Sequence, residues 1–238
     1  MKKTFFITLI SGLLILSPTV VLAQTPTATN NRITIVKQKA DAEIERRLTS
    51  LTNAISLVNG FKKLNDSQKT NFVTSINTQI SDLNNLKTKI DADTDMQTLR
   101  ADQKSIFDEY RIYMLYLPQT RILSAAERES ETIDLMNQVS TKIAGRINGN
   151  ANLQNTLNDA NTKLTDATTQ ETNATNLVIN LAPDQGNTAT SASNTAALKS
   201  ARADLQTALK DLQTAKTDFQ TIINQLKTQG TSSPTATP

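Results

Sequence analysis

The sequence predicts an all-α protein: an elongated helical bundle of about six helices that closes in a C-terminal antiparallel coiled-coil hairpin. Three observations carry this. Apolar residues recur at steps of three and four almost from end to end, the spacing that lines one face of an α-helix. The interior between the two Thr/Pro-rich ends contains almost no Pro or Gly. The last third then settles into a heptad in which Leu and Ala alternate.

The elements follow in order. Residues 1–23 have the form of a secretory signal peptide, with a cationic start at Lys2 and Lys3, a short apolar run and a small-residue cleavage site at Val21, Leu22 and Ala23. Residues 24–30 are rich in Thr and Pro, bury nothing and are expected to be disordered. A first helix is expected over residues 31–59, with Ala40, Ile44, Leu48, Leu51, Ile55 and Val58 on one face and Gly60 as its stop. Asn65 and Gln68 have the spacing of a capping box and open a second helix through Val73, Ile76, Ile80, Leu83, Leu86 and Ile90. Thr94, with Gln97 three residues on, is placed to cap a third helix that uses Met96, Leu99, Ile106, Tyr110, Tyr113 and Leu117. Pro118 disfavours helical backbone at Leu117 and should end or kink it, so a fourth helix is expected from about Gln119 through Ile122, Ala126, Ile133, Met136, Ile143 and Ile147.

Asn148-Gly149-Asn150 is the clearest internal punctuation, combining residues that tolerate positive φ with a new N-cap. It divides a four-helix N-terminal bundle, residues 31–148, from the coiled-coil hairpin, residues 149–229. The hairpin seam reads Leu153, Leu157, Ala160, Leu164, Ala167, Ala174, Val178 and Leu181 on one helix, with Glu171 alone breaking it. After a polar loop around 183–191, Leu198, Ala201, Leu205, Ala208, Leu212, Ala215, Phe219, Ile222 and Leu226 line the other. Each Ala leaves room for a facing Leu, and the loop lets the two faces meet within one chain, so the protein is expected to be mainly monomeric. Residues 230–238 form a second Thr/Pro-rich tail, expected to be disordered.

Composition narrows the chemistry. There is no Cys and no His, which removes disulfides, thiol nucleophiles, the usual zinc ligands and the usual general base near neutral pH. Fold stability must come from packing. The net charge of +3 falls to about +1 if Lys2 and Lys3 leave with the signal, and basic residues alternate with acidic ones as on solvated helix faces, so nucleic acid is not an expected partner. Beyond the signal no apolar run is long enough to span a bilayer, and no stable membrane insertion is expected after cleavage.

Two clusters stand out. Tyr110, Arg111, Tyr113 and Tyr116 form an aromatic and basic stripe with Phe107, readable as an interaction surface or as a packed helix end. Glu129 lies on the apolar seam of the fourth helix and could be satisfied by Tyr110 or Arg111. Asp91, Asp93 and Asp95, with Asp102 at the twelfth position, have the spacing of a calcium loop, although Met96 stands where that loop needs Gly. Acidic residues at a helix start are equally favoured by the macrodipole. No catalytic constellation and no cofactor-binding motif is present, so an enzyme is not expected.

The segments 89–95, 110–113 and 117–123 carry a resemblance, spread over about residues 40–147, to an uncharacterised group of exported helical proteins known from uncultured bacterial genomes. The resemblance implies a bacterial, extracytoplasmic, helical protein and transfers no functional residue. Sequence therefore points to a non-enzymatic scaffold, spacer or protein-interaction module of the cell envelope or surface, with protein or envelope partners. The alternative is a ligand- or ion-binding module using the tyrosine stripe or the Asp91 to Asp95 turn.

Overall fold

The computed structural model describes residues 26–108 and 112–231, with side chains described over 30–108 and 112–229. The signal sequence, Tyr110, Arg111 and the tail beyond residue 231 lie outside the described residues. What is described forms six α-helices and no strand: α1 Pro26–Asn59, α2 Asp66–Ala92, α3 Met96–Asp108, α4 Tyr116–Ala144, α5 Ala151–Ile179 and α6 Thr188–Thr231. With 44 residues, α6 is about 66 Å long at 1.5 Å per residue, which makes the bundle elongated.

Several helix ends follow the local chemistry. Asn65 and Gln68 close the full capping box, each side chain accepting from the other's backbone N–H. Asn148 and Gly149 both take positive φ, 49° and 76°, to reverse the chain, and the Asn150 side chain then accepts from Asn152 and Leu153 to start α5. Other ends differ from the sequence reading. The helix α1 begins at Pro26, inside the segment expected to be disordered, because Pro at a first helical position loses no hydrogen bond. Asp95 caps α3 in place of Thr94, accepting from the Thr98 N–H at 2.8 Å and from its hydroxyl at 3.0 Å. Pro118 does not terminate α3, which ends at Asp108; it sits in the first turn of α4, where its missing N–H would be unpaired in any case.

On α2 the buried face runs Phe72, Ile76, Gln79, Leu83, Leu86 and Ile90, so Val73 and Ile80 lie at its margin. The seam of the hairpin is closed within the chain. Leu153, Leu157, Ala160, Leu164 and Ala167 of α5 pack with Ala208, Leu212, Ala215, Phe219 and Ile222 of α6, and Lys163 reaches Asp211 at 3.0 Å to mark the antiparallel register. Burying each such Leu contributes about 1.5–3 kcal/mol.

The chain turns at Asn148-Gly149, but the core divides elsewhere. One apolar cluster joins α1, α2, α3 and the first half of α4 to Ala174, Val178 and Ile179 of α5 and Leu198, Ala201 and Leu205 of α6. The other joins Ile133, Ile143 and Ile147, at and beyond the second half of α4, to the rest of α5 and α6. The helices α4, α5 and α6 thus run through both, and the break between clusters is transverse. Buried Gln119 locks the first cluster by donating to the Val178 and Leu181 carbonyls at the end of α5.

Candidate functional site

The tyrosine stripe is largely core. Tyr116 is 1% exposed, meets Phe72 edge-on with ring centroids 6.1 Å apart, and shares a 2.7 Å hydrogen bond with the Ser75 hydroxyl. Burial raises its phenol pKa. Tyr113 lies beneath two guanidinium groups, Arg47 at 5.0 Å and Arg46 at 5.7 Å from its ring centroid, and Arg47 also covers Phe107. Arg47 is itself buried and paired with Glu43 at 2.8 Å. These cation–π contacts tie the segment after α3 to α1 and leave neither ring presented as a free recognition face. Of the predicted surface, Tyr110 and Arg111 lie outside the described residues.

The acidic turn is occupied by helix ends. Asp93 is the C-cap of α2, its N–H donating to the Lys89 and Ile90 carbonyls, while Asp95 caps α3. The Asp91 carbonyl accepts from Lys37, and its carboxylate lies 3.8 Å from Lys87. Asp102 pairs with Lys89 at 2.8 Å. Burial, followed by the Asp102 charge, raises the Asp93 pKa. Among the described residues no group of three or more carboxylates is placed to hold a metal ion. The calcium-loop spacing is present without convergence, because Asp93 and Asp95 serve different helices and the loop's Gly is absent.

Sequence singled out Glu129 and Glu171 separately; the structure puts them together. They fall at the break between the two apolar clusters, after Ala126 and before Ile133 on α4, and between Ala167 and Ala174 on α5. Burial and then the Glu171 charge push the Glu129 carboxyl up to about 7, with Arg128 acting in the opposite direction. Neither Tyr110 nor Arg111 supplies a described partner, and Glu129 Oε2 is buried without one among the described residues. Glu171 is also raised, by burial first, although the Thr175 hydroxyl donates to it at 3.2 Å. Glu127, not anticipated from sequence, accepts from the backbone N–H groups of Lys62 and Lys63 and so pins the loop after α1 onto α4. A polar cavity of about 290 Å³ adjoins Lys63, Glu127 and Glu171.

The largest concavity lies at the other end of the bundle, between α4 and the last turns of α6, with a volume of about 620 Å³. Val139, Ile143, Ile223 and Leu226 give it an apolar lining. Lys142, Arg146 and Lys227 supply its charges, and no carboxylate lines it. Leu135, one turn before Val139 on α4, is 62% exposed and extends the apolar strip beyond the groove. The sequence reading missed this site because its two sides are far apart in the chain. The available signal was the departure of Leu135 and Val139 from the buried stripe of α4.

The arrangement has the makings of a binding surface: an open apolar trough, cationic edges and rigid helical walls. Among the described residues no helix is long and apolar enough to cross a membrane. No known protein family, curated protein or solved structure matches the chain significantly.

Proposed function

We propose that this protein is a non-enzymatic helical interaction module of the bacterial envelope or surface, in which the long α4–α5–α6 arm carries a docking groove away from the larger core. The observation that supports this reading is the contrast between faces. The Leu/Ala seams of α5 and α6 are consumed within the chain, whereas the trough formed by Val139, Ile143, Ile223 and Leu226 is open to solvent. Grooves of this kind between helices accept apolar anchors spaced along a partner.

The mature chain, immobilised and exposed to envelope extract, is expected to retain a partner that an Ile223→Glu variant does not retain. Ile223 is only half-buried, so this substitution leaves the seam residues Phe219 and Ile222 in place. Equal retention by both proteins, or none by either, would remove support for the reading. The ligand-binding alternative based on the tyrosine stripe has less support, since Tyr116 is core and Tyr113 is covered by Arg46 and Arg47.

A further inference from the structure

We infer that the occupant of the α4–α6 groove is an acidic amphipathic helix of another protein, an inference that rests on the docking role proposed above and adds the chemistry of the partner. The argument begins with charge. Elsewhere along the arm and its base, cations are set against carboxylates of the same chain: Lys63 with Asp134, Lys87 with Asp41 and Lys163 with Asp211. The groove gathers Lys142, Arg146 and Lys227 around an apolar floor with no carboxylate in its lining. A nearly neutral protein has concentrated one sign of charge at the edge of its largest open apolar surface, and complementary potential is what selects a partner and suppresses wrong ones.

Shape selects a helix. The α4 wall runs from Val139 through Ile143 to Arg146, about two turns or 10 Å, and the α6 wall presents Ile223 and Leu226 at the i, i+3 spacing of a single face. Two nearly parallel helical walls make a trough into which a third helix lays residues at i, i+3, i+4 and i+7. On such a helix, Glu or Asp flanking the apolar stripe would meet Lys142 and Arg146 on one side and Lys227 on the other.

A second copy of this chain is a poor fit. Twofold pairing through the same patch would bring Lys142, Arg146 and Lys227 against their own equivalents, an arrangement of like charges. An acyl lipid would satisfy apolarity and charge, but an open trough bounded by helices leaves much of a single chain in water, whereas small-ligand sites bury most of their ligand.

The test uses the full mature chain and a fluorescent amphipathic peptide of about 18 residues, with Leu along one face and Glu on both flanks. Fluorescence anisotropy should show saturable binding that weakens at high salt. The double variant Lys142→Glu with Arg146→Glu should bind at least about tenfold more weakly, and a matched peptide with Lys flanks should bind that variant better than the native protein. Both positions are exposed, so circular dichroism melts should coincide with the parent and exclude misfolding as the cause. Indifference to the sign of the flanking charges would overturn the inference, as would unchanged affinity in the double variant. Capture of anionic phospholipid vesicles through these residues with no peptide binding would assign the groove to lipid and overturn it too. If Ile223→Glu abolishes retention of an envelope partner while the acidic peptide is ignored, the docking role stands and the acidic partner falls. If neither partner nor peptide depends on Ile223, both fall.

Discussion

Replacing Glu129 by Gln should stabilise the protein above neutral pH and change little in acid. Unfolded, this carboxyl ionises near 4.5; folded, burial and the facing Glu171 hold its proton until about 7. Folding is therefore penalised progressively as pH rises from the first value to the second, and the penalty is complete above it. Each unit of difference is worth about 1.36 kcal/mol, so the full separation would amount to roughly 3 kcal/mol. Glu129 is only half-buried, and solvent screening reduces the expected effect to about 1–2 kcal/mol. Arg128 on the same helix and Glu171 on α5 act on it directly, while Glu171 is influenced in turn by Glu127 and Lys63. The two carboxyls will consequently titrate as a pair. From α6 the flanks of this layer receive the buried, uncharged Leu205 and Ala208. Urea unfolding followed by far-ultraviolet circular dichroism, at about pH 4 and about pH 8, reads the difference between parent and variant. The Glu129→Gln protein should gain stability at the higher pH and converge with the parent at the lower one. Equal stability at the higher pH, or a difference independent of pH, would show that the layer is hydrated and the reasoning wrong.

Three further outcomes are expected. Tyr116→Phe should cost about 1 kcal/mol through the lost bond to Ser75, and Tyr116→Ala about 3–5 kcal/mol, both measured by denaturant unfolding; a negligible cost for the Ala variant would return the ring to the surface. Glu127→Ala should cost about 2–3 kcal/mol by leaving the Lys62 and Lys63 N–H groups without their acceptor, and amide exchange in the loop after α1 should accelerate. Millimolar calcium should leave the melting temperature unchanged, since a ligand at one hundred times its Kd would add about 2.7 kcal/mol and be readily seen.

What sequence revealed was local or periodic. The capping box at Asn65 and Gln68, the reversal at Asn148-Gly149 and the Leu/Ala seams depend on neighbouring residues or fixed spacing, and all are present in the structure. Pro118 was ambiguous for a physical reason: Pro is tolerated in a first turn and disruptive in an interior, so the same residue suits the end of one helix or the start of the next. Asp95 and Thr94 are both good N-caps, and only backbone geometry decides between them. The candidate sites were less legible because they are tertiary. Glu129 was visibly misplaced on an apolar face, yet its encounter with Glu171 depends on the packing register of α4 against α5, which Ser140 and Asn161 mark at 2.6 Å. The transverse break in the core has the same origin, since it arises where those two carboxylates meet. Nor could the groove be read from either wall alone, because each resembles an ordinary amphipathic helix end.

Hydrogen–deuterium exchange on the full mature chain, with and without the acidic amphipathic peptide, tests the central claim most directly. Binding should slow exchange at the C-terminal end of α4 around Val139 to Arg146 and at the last turns of α6 around Ile223 to Lys227, leaving the segment around Tyr113 unchanged. Protection around Tyr113 and Phe107 without any at the α4–α6 groove would contradict the account and restore the aromatic stripe as the interaction surface.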